Sequence, residues 1–310
     1  SFYVYGTGAF NYPYLEDDDS WGHSQTAKYY AMEKNVFSDT AAKEIGYINP
    51  YPPAYAIVMG VLHQTNDSIY WTLKFFNALI VSLSIIFFYF FVKEFSGSRN
   101  KALFASFALF SIPSFMSHFI WAISLSVTLY FVVFYALERI KHDKKWWILS
   151  GLVMVAALTS SPTHSTFFGL LFASYILIKI ILERKILADY IFAGALGLGL
   201  SFALWWLPMI VKYGFFGTLK GLGIVVESGA GALSVGGTGD RVYTFNDFFF
   251  AQMQNMINNP IGIGVVLSML VTIALIYVLL KYKSSLIKNK IVILASFLVL
   301  IAAMVFLLFS

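Results

Sequence analysis

Cysteine is absent from this 310-residue chain, and charged residues are scarce, at 12% of the total. Without cysteine, no disulfide can hold a segment in place, even in an oxidising compartment. A soluble globular protein would carry roughly twice this fraction of charged residues. Hydrophobic residues make up 59% of the sequence and the mean hydropathy is +0.73. The composition therefore predicts an integral membrane protein.

Several familiar patterns are also missing. Residues 1–15 lack the basic start and the continuous apolar core of a signal peptide. No internal repeat of the kind found in many secondary transporters is visible. Lys74, Lys179 and Asp189, all near helix ends, are the only lysine, arginine, aspartate or glutamate residues within the apolar runs, which argues against ion-coupled transport.

Apolar runs of about 20 residues recur along the chain, and each is long enough to cross a bilayer core. The runs are continuous rather than alternating, which excludes a transmembrane β-barrel. We therefore expect an all-α polytopic membrane protein. Eight spans are predicted, near residues 70–92, 102–117, 119–137, 146–162, 165–182, 188–211, 261–280 and 291–309.

Lysine and arginine occur in every second connection between these spans. They are Lys93, Arg99 and Lys101 after the first span, Arg139, Lys141, Lys144 and Lys145 after the third, Arg184 and Lys185 after the fifth, and Lys281, Lys283, Lys288 and Lys290 after the seventh. Basic loops are typically cytoplasmic. Residues 1–69 and 212–260 are then extracytoplasmic, in what we expect to be a prokaryotic plasma membrane. The net charge of +5 follows from this topology, and we expect no nucleic-acid partner.

The chain divides into four parts by this interpretation. They are an outer first loop at residues 1–69, six transmembrane helices at 70–211, a long glycine-rich outer loop at 212–260, and two further transmembrane helices at 261–310. Two short juxtamembrane helices are expected in the first loop, at Trp21–Lys34 and Ala54–Leu62. The start at Ser1 without methionine and the end at Ser310 within an apolar span predict that the chain is truncated at both ends.

Four consecutive acids, Glu16 to Asp19, precede the first predicted surface helix. An acid at a helix N-terminus is stabilised by the helix dipole, by roughly 0.3–1 kcal/mol. One acid suffices for that purpose, whereas four adjacent acids repel one another. The cluster is therefore a candidate functional site.

Four short segments resemble motifs of the GT-C membrane glycosyltransferases. Residues 19–23 (Asp-Ser-Trp-Gly-His) resemble the acidic first-loop motif, in particular that of the oligosaccharyltransferase branch. Residues 51–55 (Tyr-Pro-Pro-Ala-Tyr) resemble a sequence that often follows in that loop. Residues 161–164 resemble the polar turn of a helix hairpin, and residues 205–208 resemble the aromatic-proline end of the span before a long outer loop.

The resemblance implies the GT-C multi-helix fold and a sugar transfer at the outer membrane surface. The donor would be a sugar linked to a polyprenyl phosphate or pyrophosphate, and the acceptor a protein, a glycan or a lipid. Asp19 matches the first-loop acid and would activate or orient the acceptor nucleophile, because a carboxylate accepts a proton or a hydrogen bond. Asp18 beside it is a second catalytic candidate.

The departing carrier phosphate is an anion, so cationic groups or a metal must stabilise it. The substrate- or phosphate-binding candidates are His23, His118, His164, Lys212, Glu227 and Arg241. Asp17 and Asp19 could hold a divalent cation such as Mg²⁺ or Mn²⁺. However, residues 114–118 lack the second acidic pair of the oligosaccharyltransferase branch, which favours a metal-independent transferase.

Two other functions remain open. The missing acidic pair is compatible with a non-catalytic membrane subunit of a larger complex. A transporter for a lipid or another small apolar molecule needs no ionisable group within the spans.

Overall fold

The computed structural model describes residues 1–16, 18–112, 115, 120–222, 224–226, 233–235, 246, 249 and 264–281. The helices in the first half are α1 (Phe2–Asn11), α2 (Asp18–Glu33), α3 (Ala41–Glu44), α4 (Ala54–His63), α5 (Ile69–Ser96), α6 (Arg99–Phe110) and α7 (Ala122–Arg139). Those in the second half are α8 (Trp146–Leu158), α9 (Pro162–Glu183), α10 (Ala188–Ser201), α11 (Leu207–Tyr213), α12 (Phe215–Gly221) and α13 (Gly264–Lys281).

One short antiparallel strand pair accompanies these helices. Strands β1 (Ile224–Val226) and β2 (Leu233–Val235) lie in the predicted glycine-rich loop, with Val225 opposite Ser234. The regular structure of the described residues is otherwise helical.

Among the described residues, four helices are long and apolar enough to cross a membrane. They are α5 with 28 residues, α7 with 18, α9 with 22, and the 26-residue run Ala188–Tyr213. This last run joins α10 to α11 through a π-helical turn at Phe202–Trp206. These helices correspond to the predicted spans at 70–92, 119–137, 165–182 and 188–211. The structure is therefore compatible with an integral membrane protein.

Two predicted spans are wrong in their bounds. The span expected at 102–117 is a 12-residue helix, α6, that ends at Phe110. The span expected at 146–162 is a 13-residue helix, α8, that ends at Leu158. At 1.5 Å per residue each is about 18–20 Å long, against about 30 Å of hydrocarbon.

A proline after each helix explains why α6 and α8 end before their predicted bounds. A residue that precedes proline avoids the helical conformation, and the sequence has Pro113 after Ile112 and Pro162 after Ser161. Ser161 has an extended backbone (φ −145°, ψ 133°), and Pro162 begins α9. The six transmembrane helices expected in residues 70–211 are therefore four helices of spanning length and two shorter ones.

Helix α13 covers the predicted seventh span, and its described apolar part is Gly264–Ala274. The eighth predicted span, at 291–309, lies outside the described residues.

The amino-terminal helices pack against the bundle that the longer helices form. Helix α1, which the sequence did not predict, buries Tyr5, whose hydroxyl donates to the Phe115 carbonyl at 3.1 Å. Helices α2 and α4 cross closely, because a Cβ atom added to Gly60 would lie 2.8 Å from the Ala27 carbonyl oxygen. The two helices expected in the first loop thus have counterparts in α2 and α4, while their location at a bilayer surface stays a prediction.

The bundle has two chemically different ends, which lie at opposite ends of α7. The backbone N–H of Ala122 contacts His23 at one end of α7, and Arg139 contacts Glu94 at the other. We call the first the acidic end, which comprises residues 16, 18–23, 47–55, 120–122 and 159–164. We call the second the basic end, which comprises residues 93–101, 138–147 and 179–190. The predicted sidedness of the chain depends on this difference in charge and stays a prediction.

Candidate functional site

The first turn of α2 carries Asp18 and Asp19. Asp18 is exposed, whereas Asp19 is half-buried. The Tyr47 hydroxyl donates a hydrogen bond to Oδ1 of Asp19. Both carboxylates thus lie at the N-terminal end of the helix, which is the positive end of its dipole. Asp17, predicted to bind a cation with Asp19, lies outside the described residues.

Three tyrosines surround the imidazole of His23. The ring of Tyr47 stacks on it at 4.6 Å between centroids and 14° between planes. Tyr51 and Tyr55 meet it edge-on at 5.7 and 5.0 Å. With only 3% of its surface exposed, His23 is a packed part of this end of the bundle.

His23 also joins α2 to the start of α7. Its Nε2 accepts from the backbone N–H of Ala122 at 3.3 Å, so the ring is neutral, with its proton on Nδ1. One turn earlier, the Ser20 hydroxyl donates to the Ile120 carbonyl at 3.1 Å. Burial lowers the pKa of His23 to about 3. The phosphate-binding role of His23 stays a prediction, and in this arrangement only its Nδ1–H could donate to a phosphate.

Tyr51 interacts electrostatically with Asp19 and forms a hydrogen bond with Ser161, which directly precedes α9. Removal from water raises the pKa of Tyr51, the nearby charge of Asp19 raises it further, and a hydrogen bond with Ser161 lowers it. The Ser161 hydroxyl is 3.2 Å from Nδ1 of His164. Ser161 therefore links His164 to Tyr51, and Tyr51 in turn lies within electrostatic range of Asp19.

Glu16, the first acid of the cluster, is buried, with 4% of its surface exposed. Burial raises the pKa of Tyr55, and the negative charge of Glu16 raises it further. Glu16 also interacts electrostatically with Lys74, which is buried in α5 and donates to the Tyr12 carbonyl. The three acids of the cluster that the structure describes thus divide between a buried position, Glu16, and the more accessible Asp18 and Asp19.

Sequence reasoning missed Tyr47 as part of the site, and it gave no individual role to Glu16 or Tyr51. The sequence contained one indication of a buried acid such as Glu16. Lys74 lies within an apolar span, and a charged group in such a span is almost always paired. Tyr47, Tyr51 and Tyr55 follow one another at intervals of four residues. However, Tyr47 and Tyr51 precede α4, so helical periodicity could not place the three rings together.

Lys212 lies in a different location, at a pocket of about 530 Å³. Its ammonium group pairs with Asp39 and donates to Oδ1 of Asn49 at 3.1 Å. The Tyr213 hydroxyl donates to the same oxygen. Lys43 also lines this pocket, and Asp19 does not.

The buried Asn49 holds this pocket together. Its Nδ2 donates to the backbone carbonyls of Val36 at 3.4 Å and Ser38 at 3.3 Å. The carboxamide thus connects the segment after α2 to the end of α11, and it fixes Asp39 opposite Lys212.

Three further predicted ligands, His118, Glu227 and Arg241, lie outside the described residues, and their roles stay predictions. Within the part of the chain that the structure describes, no three histidine, aspartate or glutamate side chains converge on a metal site. Asp19 alone, with Tyr47 on one oxygen, is not the oxygen-rich ligand set that Mg²⁺ requires. The proposed cation site would depend on Asp17.

No protein-family model, curated protein or solved structure matches this chain. A functional assignment therefore depends on the residues and their geometry.

Proposed function

We propose that this chain is a glycosyltransferase of the GT-C type. It would move a sugar from a polyprenyl-phosphate-type carrier to an acceptor on the extracytoplasmic side of the membrane. The environment of Asp19 is the observation that supports the proposal most directly. It is a half-buried carboxylate at a helix N-terminus, oriented by a tyrosine hydroxyl, and it makes no ion pair with any residue in the described ranges.

The geometry of Asp19 suits a base or a hydrogen-bond acceptor. Tyr47 donates to Oδ1, which leaves Oδ2 available for the acceptor. In the reaction, the acceptor heteroatom donates a hydrogen bond to Oδ2, forms a bond to the anomeric carbon and transfers its proton to Oδ2. The bond between that carbon and the phosphate oxygen breaks, and the carrier phosphate leaves with the electron pair. A positioned base of this kind contributes about 10²–10⁴-fold to a rate.

Tyr51 supports this role by remaining protonated. Burial, and then the charge of Asp19, raise the pKa of Tyr51 above its ordinary value, so the phenol is neutral well beyond physiological pH. It therefore adds no second negative charge beside Asp19. Asp18, exposed in the same helical turn, is the proposed second carboxylate for the incoming acceptor.

Lys212 is proposed to bind the carrier phosphate. Its partner Asp39 is 74% exposed, and an exposed ion pair is weak, at about 0–1 kcal/mol. A phosphate with two charges could displace Asp39, with Lys43 on the same pocket as a second cation. His164, His118, Arg241 and Glu227 remain proposed ligands, and a divalent cation remains the alternative source of positive charge.

A sugar-transfer assay tests the proposal. The purified chain would be incubated with a panel of polyprenyl-phosphate-linked sugars and with peptide, glycan and lipid acceptors. We expect Asp19→Asn to lower transfer by at least about 100-fold. The matched control is Glu33→Gln, which removes an exposed carboxylate at the other end of α2 and should leave transfer unchanged. Full activity in Asp19→Asn would overturn the assignment.

A non-catalytic membrane subunit is the second candidate. The observation in its favour is the dense packing around His23, since a buried, neutral imidazole that contacts three tyrosines is typical of a structural core. This alternative predicts that no donor is consumed by the wild-type chain, and that Asp19→Asn changes only the thermal stability.

A further inference from the structure

The basic end contains more cations than acids. Its connections, residues 93–101, 138–147 and 183–189, hold nine basic and five acidic residues. The basic residues are Lys93, Arg99, Lys101, Arg139, Lys141, Lys144, Lys145, Arg184 and Lys185. The acidic residues are Glu94, Glu138, Asp143, Glu183 and Asp189. Contacts between these segments bring the charges to one end of the bundle, which leaves a positive excess there.

The cations of this end differ in how they are paired. Glu94 lies 3.5 Å from Arg139 and 2.9 Å from Lys141. Lys144 and Lys145, by contrast, are exposed and make no ion pair with any residue that the structure describes. The nearest acid in sequence, Asp143, accepts instead from the backbone N–H of Lys145 at 3.0 Å. Two ammonium groups at the start of α8 are therefore available for an external anion.

Two tryptophans follow these lysines directly. The guanidinium of Arg139 lies 5.5 Å from the ring centre of Trp146, and Tyr135 meets the same ring edge-on at 5.8 Å. Trp147 packs against Phe192 of α10 at 6.1 Å. Both rings are thus held by neighbouring helices. Tryptophan in such a position is typical of the headgroup level of a bilayer.

Beyond the tryptophans the exposed surface of α8 is apolar. Ile148, Leu149 and Leu152 are exposed large hydrophobic side chains. The change from free ammonium groups to exposed apolar side chains takes about one helical turn, or roughly 5 Å. A ligand that satisfies both surfaces needs an anionic group joined to a hydrocarbon chain.

We propose that Lys144 and Lys145 bind the phosphate of an anionic phospholipid. The Trp146 ring would lie beside the headgroup, and an acyl chain would follow Ile148, Leu149 and Leu152 along α8. A zwitterionic lipid fits less well, since its choline or ethanolamine cation would meet the positive excess. A soluble phosphate would use the lysines but not the apolar face. This site is distinct from the Asp19 site and does not depend on the proposed transferase activity.

Lipid binding by the full chain in a mild detergent tests the proposal. Native mass spectrometry would compare the retention of phosphatidylglycerol and phosphatidylcholine with identical acyl chains. We expect wild type to prefer phosphatidylglycerol by about tenfold. The double variant K144Q/K145Q should lose most of that preference. The matched control K28Q/K34Q removes two exposed lysines from the region of α2 and should keep the preference.

Three results would overturn the proposal: equal retention of the two lipids by wild type, an unchanged preference in K144Q/K145Q, or a preference lost equally in K28Q/K34Q. A further arm adds inorganic phosphate at millimolar concentration. If free phosphate displaces phosphatidylglycerol completely at that concentration, the site recognises phosphate alone and the acyl-chain contact is wrong. Thermal unfolding of both variants verifies that each remains folded.

Discussion

The two ends of the bundle hold their carboxylates in different ways. At the basic end, Glu94 contacts Arg139, Lys141 and His142, and Glu138 contacts Lys179. At the acidic end, Asp19 accepts from a tyrosine hydroxyl and has no cationic partner in the described part of the chain. Acids that are matched by cations fix helices to one another. An acid oriented by a neutral donor keeps its charge available for a substrate.

Glu138 is the clearest example of an acid that fixes helices to one another. It is buried on α7, where the Tyr175 hydroxyl and the Lys179 ammonium group both donate to its Oε1. Lys179 donates in addition to the Tyr190 hydroxyl at 3.0 Å. One carboxylate thus connects α7, α9 and α10.

We expect the largest effect from Glu138→Ala. The change leaves the Lys179 ammonium group without its buried counter-charge, and such a loss costs about 3–5 kcal/mol. The thermal unfolding transition in detergent, followed by tryptophan fluorescence, should shift to a markedly lower temperature. The double variant E138L/K179M removes both charges and should recover most of the lost stability. A transition in Glu138→Ala equal to that of wild type would show that this ion pair does not hold the basic end together.

The next effect concerns His23 and acid pH. The pKa of His23 is about 3 in the folded chain, against about 6.5 when unfolded. Between these values the unfolded chain binds a proton that the folded chain does not. Stability should therefore fall as the pH is lowered through this range, by up to about 1.4 kcal/mol per pH unit.

The His23→Gln variant isolates this contribution. Glutamine can still accept from the Ala122 N–H but does not titrate, so its stability should depend less on pH than that of wild type. Unfolding measured at pH 7, 6 and 5 for both proteins gives the difference. Parallel pH profiles would mean that His23 is not the neutral, buried group described above.

A smaller effect is expected from Tyr47→Phe. The substitution removes the hydrogen bond to Oδ1 of Asp19 but keeps the ring that stacks on His23. If Tyr47 orients the base, the rate of sugar transfer should fall by about tenfold, and the unfolding temperature should change little. Loss of stability without loss of rate would instead place Tyr47 in the structural core only.

The apolar runs predicted the four helices of spanning length, because continuous hydrophobicity is a local property. They failed at α6 and α8, where Pro113 and Pro162 decide the helix ends within a run that stays apolar. Asp19 was predicted from its motif, whereas Tyr47 and Ser161 could not be, since their contacts join segments far apart in sequence. The sequence showed Lys179 as a charged residue near the end of an apolar run, but it could not show that its partner is Glu138 on a neighbouring helix.

A single side-by-side measurement tests the difference between the ends most directly. Sugar transfer and thermal unfolding would be measured together for wild type, Asp19→Asn and E138L/K179M. We predict that Asp19→Asn unfolds at the wild-type temperature but loses at least about 100-fold in transfer. E138L/K179M should keep its transfer rate whenever it is folded. An Asp19→Asn protein that transfers sugar at the wild-type rate, or that has lost its fold, would contradict the assignment of Asp19 as the reactive carboxylate.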